Sequence, residues 1–268
     1  LSNDQVDLDV VIEGDGMGVA QDLARELGGS LIRHHAFQTA VVTTVNGFRV
    51  DVATARREEY KRPGQLPQIV PGDLENDLAR RDFTINTMAI SLSESDFGAF
   101  IDPHDGRSDL ETGCIRAMHP RSFADDPTRV LRALRFSVRY SYKIEDKSEE
   151  WMNEAITGGC LGTVSGERVC KELRLLFTES PMQGPSRLEV EGVLPIVHPG
   201  LRFQRKPLQG LQDLIEWWEV ASSGVSLVTK PKGWLMVLGC CAKRLSSTER
   251  WDLVRHLKLS REERRPLI

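Results

Sequence analysis

No stretch of this chain stays apolar for the ~20 residues that a bilayer-spanning helix needs, and no charged leader with an apolar core opens it. No membrane partner is therefore expected, while a cytoplasmic location is suggested by the odd, scattered cysteines. It begins with Leu1 rather than Met, which points to a piece of a longer chain. Overall positive charge is missing too. Thirty-five basic residues face 39 acidic ones, a net charge of −4, so nucleic-acid affinity is not written over the whole surface. Cysteines are few and scattered: Cys114, Cys160, Cys170, Cys240 and Cys241 include no C-x-x-C pair and no histidine at zinc-ligand spacing. They read as reduced thiols packed as small apolar side chains. Repeats and low-complexity segments are also absent. What remains is an ordinary globular composition, 268 residues long, enough for one large domain or two to three small ones.

The first 55 residues mix strand and helix patterns. A strand near Val10–Ile12 ends at the Gly14/Gly16 turn, and Val19, Ala20, Leu23, Ala24 and Leu27 then keep helical spacing until Gly28-Gly29. TAVVTTV and FRVDVATA flank Asn46-Gly47, a strong hairpin signal, which puts Asp51 on the second hairpin strand. Three prolines and two glycines make residues 60–73 a loop. A helix is predicted over 74–90, and FGAFIDPHDGRSDLETGCIRAM reads as a short strand, a turn and a return to the sheet. From Asp126 the pattern is helical to the end, with Asp126 as N-cap and Pro127 in the first turn. Later helices are predicted over 147–156, 166–177, 208–221 and 233–244. The fold class is α+β: a mixed or antiparallel sheet in a head over 1–119, followed by helices only.

Asp7 and Asp9 open the first strand two positions apart, so they face the same side. Like charges held that close repel unless a cation sits between them. With Asp51 on a neighbouring strand, the set suits two Mg²⁺ ions, which take oxygen ligands and keep several waters. A solvated strand end is the plainer alternative for so common a pattern. Further on, RRDFTIN carries Asp82 and Asn86 at i, i+4 on the predicted helix, a carboxylate and an amide suited to ribose hydroxyls, with Arg81 within reach of phosphate. In DDPTRVLRALRF, Asp125 and Asp126 stand four and three residues before Arg129 at a helix start. A carboxylate accepting from the exocyclic amine of cytosine or adenine, beside an arginine donating to the ring, reads the edge that C and A share. N-capping with intrahelical ion pairs is the competing account. Arg129, Arg132 and Arg135 step round the helix as a stripe suited to phosphates or to solvent. Between Arg116 and Lys143, seven basic residues face two acids.

These blocks, in this order, resemble the class II tRNA nucleotidyltransferase and bacterial poly(A) polymerase family, of the polymerase-β-type nucleotidyltransferases. DLDVVIEGDG resembles the catalytic strand, RVDVATARREEY the block after it, and RRDFTIN the ribose-binding motif. IDPHDGRSDLETGCIRA resembles the linker that follows, DDPTRVLRALRF the element that templates C and A, and SGERVCKELRLLF the neck helix. The resemblance covers about residues 4 to 177. It implies a polymerase-β-like head over 1–119, a nucleotide-selecting helical neck over 120–180, and a helical body over 181–268 that binds the tRNA acceptor end. It implies Asp7 and Asp9 as ligands of Mg²⁺, with Asp51 assisting as a catalytic acid. Arg81, Asp82, Asn86, Asp125, Asp126, Arg129 and Arg132 would bind ATP or CTP. The expected activity is addition of C, A or both to the tRNA 3′ end. A poly(A) polymerase and a catalytically silent RNA-binding homologue are the alternatives. Two departures stand out. The family's glycine-rich G-G-x-V-R-D stretch is not in this sequence, and truncation is the expected reason. The base-reading element begins with Asp125 where the family has Glu, ~1.5 Å less reach.

Overall fold

Alternation in the first strand decides which side of the first sheet is covered. In the computed structural model, which describes residues 8–211, 213 and 233–268, strand β1 (Leu8–Ile12) pairs in parallel with β4 (Arg49–Thr54). Strands β2 (Ser30–His34) and β3 (Thr39–Thr43) complete an antiparallel run, giving the mixed order β1-β4-β3-β2. Val10, Ile12, Val42, Val50 and Val52 pack with Ala20, Leu23 and Ala24 of helix α1 (Gly16–Glu26). Full burial of a branched aliphatic side chain such as Val42, Val50 or Val52 is worth about 1.5–3 kcal/mol. The even-numbered residues of β1 and β4 thus face the helix, and the odd-numbered ones face the other way.

The chain divides into two units. The first comprises residues up to Lys61 and Leu66–Gly106; the second comprises Arg62–Gln65 and Arg107–Ile268. In the first, the Asn46-Gly47 hairpin forms, with Gly47 at φ +81, but its connection spans residues 44–48 because Thr44 and Phe48 bond each other beyond the last paired residues. The predicted loop over 60–73 contains a strand: β5 (Arg56–Glu59) pairs with β6 (Gln68–Pro71), and Pro71 is tolerated at the strand end. The predicted 74–90 helix is a single short one, α2 (Leu74–Ala79), capped by Asp73. It stops because Phe83 is extended, with φ −135 and ψ 152, while the Asp82 carboxylate accepts the Phe83 N–H. A side chain that bonds nearby backbone competes with the helix. One tight turn over Thr84–Asn86 follows, then β7 (Ala89–Ile90) paired with β8 (Phe100–Ile101).

The predicted turn after β8 is instead helix α3 (Gly106–Thr112), started by the Asp102 carboxylate on the Gly106 N–H at 2.7 Å. Only glycine fits there, since an added Cβ would stand 2.2 Å from the Thr84 carbonyl oxygen. In the second unit β9 (Cys114–Ile115) does not return to the first sheet but pairs with β10 (Lys143–Ile144), which also interrupts the predicted helical run. The helices there are α4 (Ser122–Asp125), α5 (Thr128–Tyr140), α6 (Asp146–Thr157), α7 (Gly166–Glu179), α8 (Gln183–Val190) and α9 (Val193–Val197). Residues 205–211 are helical, and the remainder of the predicted 208–221 helix, except residue 213, lies outside the described residues. Helices α10 (Gly233–Cys241), α11 (Ser247–His256) and α12 (Arg261–Arg264) close the chain. Phe123, Leu131, Leu134, Leu173, Leu176 and Phe177 are fully buried in this unit. None of the described helices is long and apolar enough to cross a membrane.

Candidate active site

Asp9 of β1 and Asp51 of β4 are register partners on adjacent parallel strands. Since Val10, Val50 and Val52 face α1, the two acids stand side by side on the opposite face. Asp9 is exposed, and Asp51 is paired at 2.9 Å with Arg49, a half-exposed contact that holds the acid only weakly. Asp7 lies outside the described residues. Among the described residues no three His, Cys, Asp or Glu gather closely enough to hold a metal. The donors present are nonetheless hard oxygens on one accessible face, which fit a cation that keeps most of its waters.

RRDFTIN forms its contacts through a turn rather than through the helix its spacing predicts. Asp82 Oδ1 accepts from Asn86 Nδ2 at 2.8 Å, so the carboxylate and the amide are joined as the i, i+4 spacing predicts, by a different backbone. Phe83 is fully buried between them. Arg81 donates to the Asn86 carbonyl and to Asp77 Oδ2, both at 3.2 Å. Its side chain is 31% exposed, and its Nε is buried without a protein partner.

The base-reading element departs further from its predicted form. Asp125 ends α4, Asp126 is extended, and Arg129 lies in α5, so the three do not share one helix. Asp125 pairs with Arg121 at 3.0 Å, and Arg129 Nη1 donates to Ser122 Oγ at 2.6 Å. Pro127, not Asp126, occupies the N-cap of α5. Asp126 still closes the helix start, accepting at Oδ1 from the N–H and the hydroxyl of Thr128 at 3.0 and 2.7 Å. Arg168 of α7 donates to the same oxygen at 2.7 Å, and through its other nitrogen to the Gly64 carbonyl at 3.0 Å. All these bonds fall on Oδ1, which leaves Oδ2 as the acceptor. Burial and then the Arg129 charge hold His119 below the usual histidine range.

The arginine stripe is neither a solvated face nor an open phosphate track. Arg135 is buried against Glu172 at 3.6 Å and Glu179 at 3.0 Å, Arg139 shares Glu179, and Arg132 lies 3.8 Å from Glu172 and over the Phe136 ring. Sequence reasoning assigned no role to Arg168, Glu172 or Glu179. Their spacing of four and seven residues puts them on one face of α7, and that periodicity was the available signal.

A mixed sheet with carboxylates on its open face, a turn-borne R-R-D-F-T-I-N and a following set of helices define a nucleotidyltransferase head of the polymerase-β type. The comparisons agree. The Poly A polymerase head domain model matches residues 1–116. The A-adding tRNA nucleotidyltransferase of Geobacter sulfurreducens is 35% identical over 266 residues, which is 98% of this chain and 30% of that protein. A solved CCA-adding enzyme in an apo form superposes with a TM-score of 0.84 at 31% identity, over 98% of this chain and 61% of that one. A solved tRNA-processing enzyme complex gives 0.80 at 31% identity, over 97% of this chain and 68% of that one. The chain thus spans about a third of the length of the curated relative that matches nearly all of it. It belongs to the tRNA nucleotidyltransferase family built on the Poly A polymerase head domain.

Proposed function

We propose that this chain transfers a nucleotide from ATP or CTP to the 3′ end of tRNA, with addition of the terminal A to a CC end as the favoured step. The observation that carries the chemistry is the side-by-side placement of Asp9 and Asp51 on the open sheet face. The favoured step follows the A-adding relative, which matches almost the whole chain. In this reading the reaction is cytoplasmic.

In the reaction the tRNA 3′-hydroxyl oxygen bonds to the α-phosphorus, the bond from that phosphorus to the β-phosphate oxygen breaks, and pyrophosphate leaves. Asp7, Asp9 and Asp51 would hold Mg²⁺, which when bound supplies Lewis-acid stabilisation of phosphate charge. Arg81 meets the triphosphate charge, while Asp82 and Asn86, already joined, present fixed polar groups to the ribose. For the second unit by itself the assignment is base reading, in which Asp126 Oδ2 would accept from the exocyclic amine of a cytosine or adenine and Arg129 would donate to the ring nitrogen beside it. Asp125 ties back Arg121 there. Arg132, anchored over Phe136, adds positive charge for the phosphates. The body over 181–268 is assigned to the tRNA acceptor end.

The test supplies labelled ATP or CTP with Mg²⁺ to tRNAs ending before CCA, after C and after CC, with products sized at single-nucleotide resolution. One A on the CC end is the expected product. Addition of C would move the assignment to a CC- or CCA-adding enzyme, and long A tails to a poly(A) polymerase. No product on any substrate would make the chain an RNA-binding homologue.

A further inference from the structure

The charges around Arg81 form one connected cluster within the first unit. Arg80 grips Asp77 Oδ1 with Nε and Nη2 at 3.0 and 2.7 Å, while Arg81 takes Asp77 Oδ2. Arg80 also reaches Glu58 Oε1 at 3.2 Å, which Arg56 shares, and the Tyr60 hydroxyl donates to Glu58 Oε2 at 2.8 Å. Asp77 is completely buried, with both oxygens engaged by guanidiniums. Three cations therefore surround two carboxylates, and the outermost is Arg81, more exposed than any other member. Buried charge persists where it is paired and bonded, and here the pairing leaves the excess positive charge at the rim.

We infer that Asp77 is a positioning residue for the nucleotide. It fixes the Arg81 guanidinium before the triphosphate arrives, and Glu58 steadies Asp77 through Arg80. An arginine free in solution loses rotamer freedom when it grips an anion, and one already held loses less. The inference rests on the nucleotide reading of Arg81 given above. It goes beyond that reading in making affinity for phosphates depend on a residue that touches none of them.

Positioning and simple electrostatics predict opposite signs. Asp77→Asn removes a negative charge near the site, so a purely electrostatic role would tighten ATP binding. A positioning role weakens it. The test is calorimetric binding of ATP and of adenosine to the full chain, with folding followed by circular dichroism. Asp77→Asn is expected to weaken ATP about tenfold, the scale of one lost hydrogen bond to a charged group, and to leave adenosine unchanged. In an Arg81→Gln background that loss disappears, because nothing remains to be positioned. ATP binding as tight as in the parent or tighter, or the same loss in both backgrounds, overturns the inference while Arg81 keeps its role. If Arg81→Gln by itself leaves ATP affinity unchanged, the phosphate reading of Arg81 fails and the inference with it. Should Asp77→Asn not fold, Glu58→Gln decides. A weakening of about threefold that vanishes with Arg81→Gln supports positioning, and no weakening overturns it.

Discussion

In the first unit, Arg56, Arg80 and Arg81 surround Glu58 and Asp77; in the second, Arg132, Arg135 and Arg139 surround Glu172 and Glu179. Each cluster sets three guanidiniums against two carboxylates. They differ in what lies at the centre and what takes up the arginines. The second is centred on an arginine, Arg135, only 7% exposed, whose face lies on the Phe136 ring at 4.7 Å while Arg139 lies on Tyr140 at 5.1 Å. Its members come from two packed helices, so the positive charge of Arg135 and Arg139 is absorbed into helix packing. The first is centred on a carboxylate, drawn from β5, α2 and the turn that follows, and ends on Arg81 within the R-R-D-F-T-I-N segment proposed to bind the nucleotide. Equal charge counts thus give a structural ladder in one place and a presented cation in the other.

Glu179→Gln should break this contrast most severely if it is wrong. It leaves Arg135 buried with one acid fewer, at a cost of about 3 kcal/mol in urea unfolding, and leaves ATP affinity unchanged. A fall in ATP affinity matching that of Asp77→Asn would erase the distinction. Arg129→Ala is expected to cost about 2 kcal/mol of discrimination for ATP over GTP or UTP in competition assays, with little loss of triphosphate binding. Unchanged base selection would contradict its reading role. Gly64→Ala sharpens the place of residues 62–65 in the second unit. At φ +70, with an added Cβ 2.2 Å from Thr163 Oγ1, it should destabilise that unit by about 1–2 kcal/mol in thermal unfolding. Ser246→Ala, which removes a capping box far from both clusters in sequence, should lower stability by about 1 kcal/mol and change neither affinity nor base choice.

Three of the first sheet's four strands were legible because their signals are local, and β2 was not expected. Alternation marked β1, Asn46-Gly47 marked the β3–β4 hairpin, and together they placed Asp51 where a neighbouring strand brings it beside Asp9. The 74–90 helix failed because its periodicity continues past Ala79 while the Asp82 side chain captures the Phe83 N–H, a competition that spacing does not register. The short strands β5, β6, β7 and β10 were missed because two to four residues carry no period and pairing alone makes them strands, whereas β9 was expected as a strand of the first sheet and pairs with β10 instead. Arg132 and Arg135 were visible as a stripe, but their acidic partners sit some 40 residues away on α7. Asp77 stands three and four residues before Arg80 and Arg81, the spacing of helical ion pairs, and what the sequence did not mark is its complete burial between them.

The most direct test of the account lies with the paired acids. Asp9→Asn and Asp51→Asn keep side-chain size and remove the charge, on the exposed face of a sheet whose core they do not enter. The measurement is the rate of A incorporation into a tRNA ending in CC, with circular dichroism and tRNA binding recorded on the same samples. The account predicts a loss of about 10³-fold or more in each variant, with folding and tRNA binding retained. Turnover at the parent rate in either variant would contradict it.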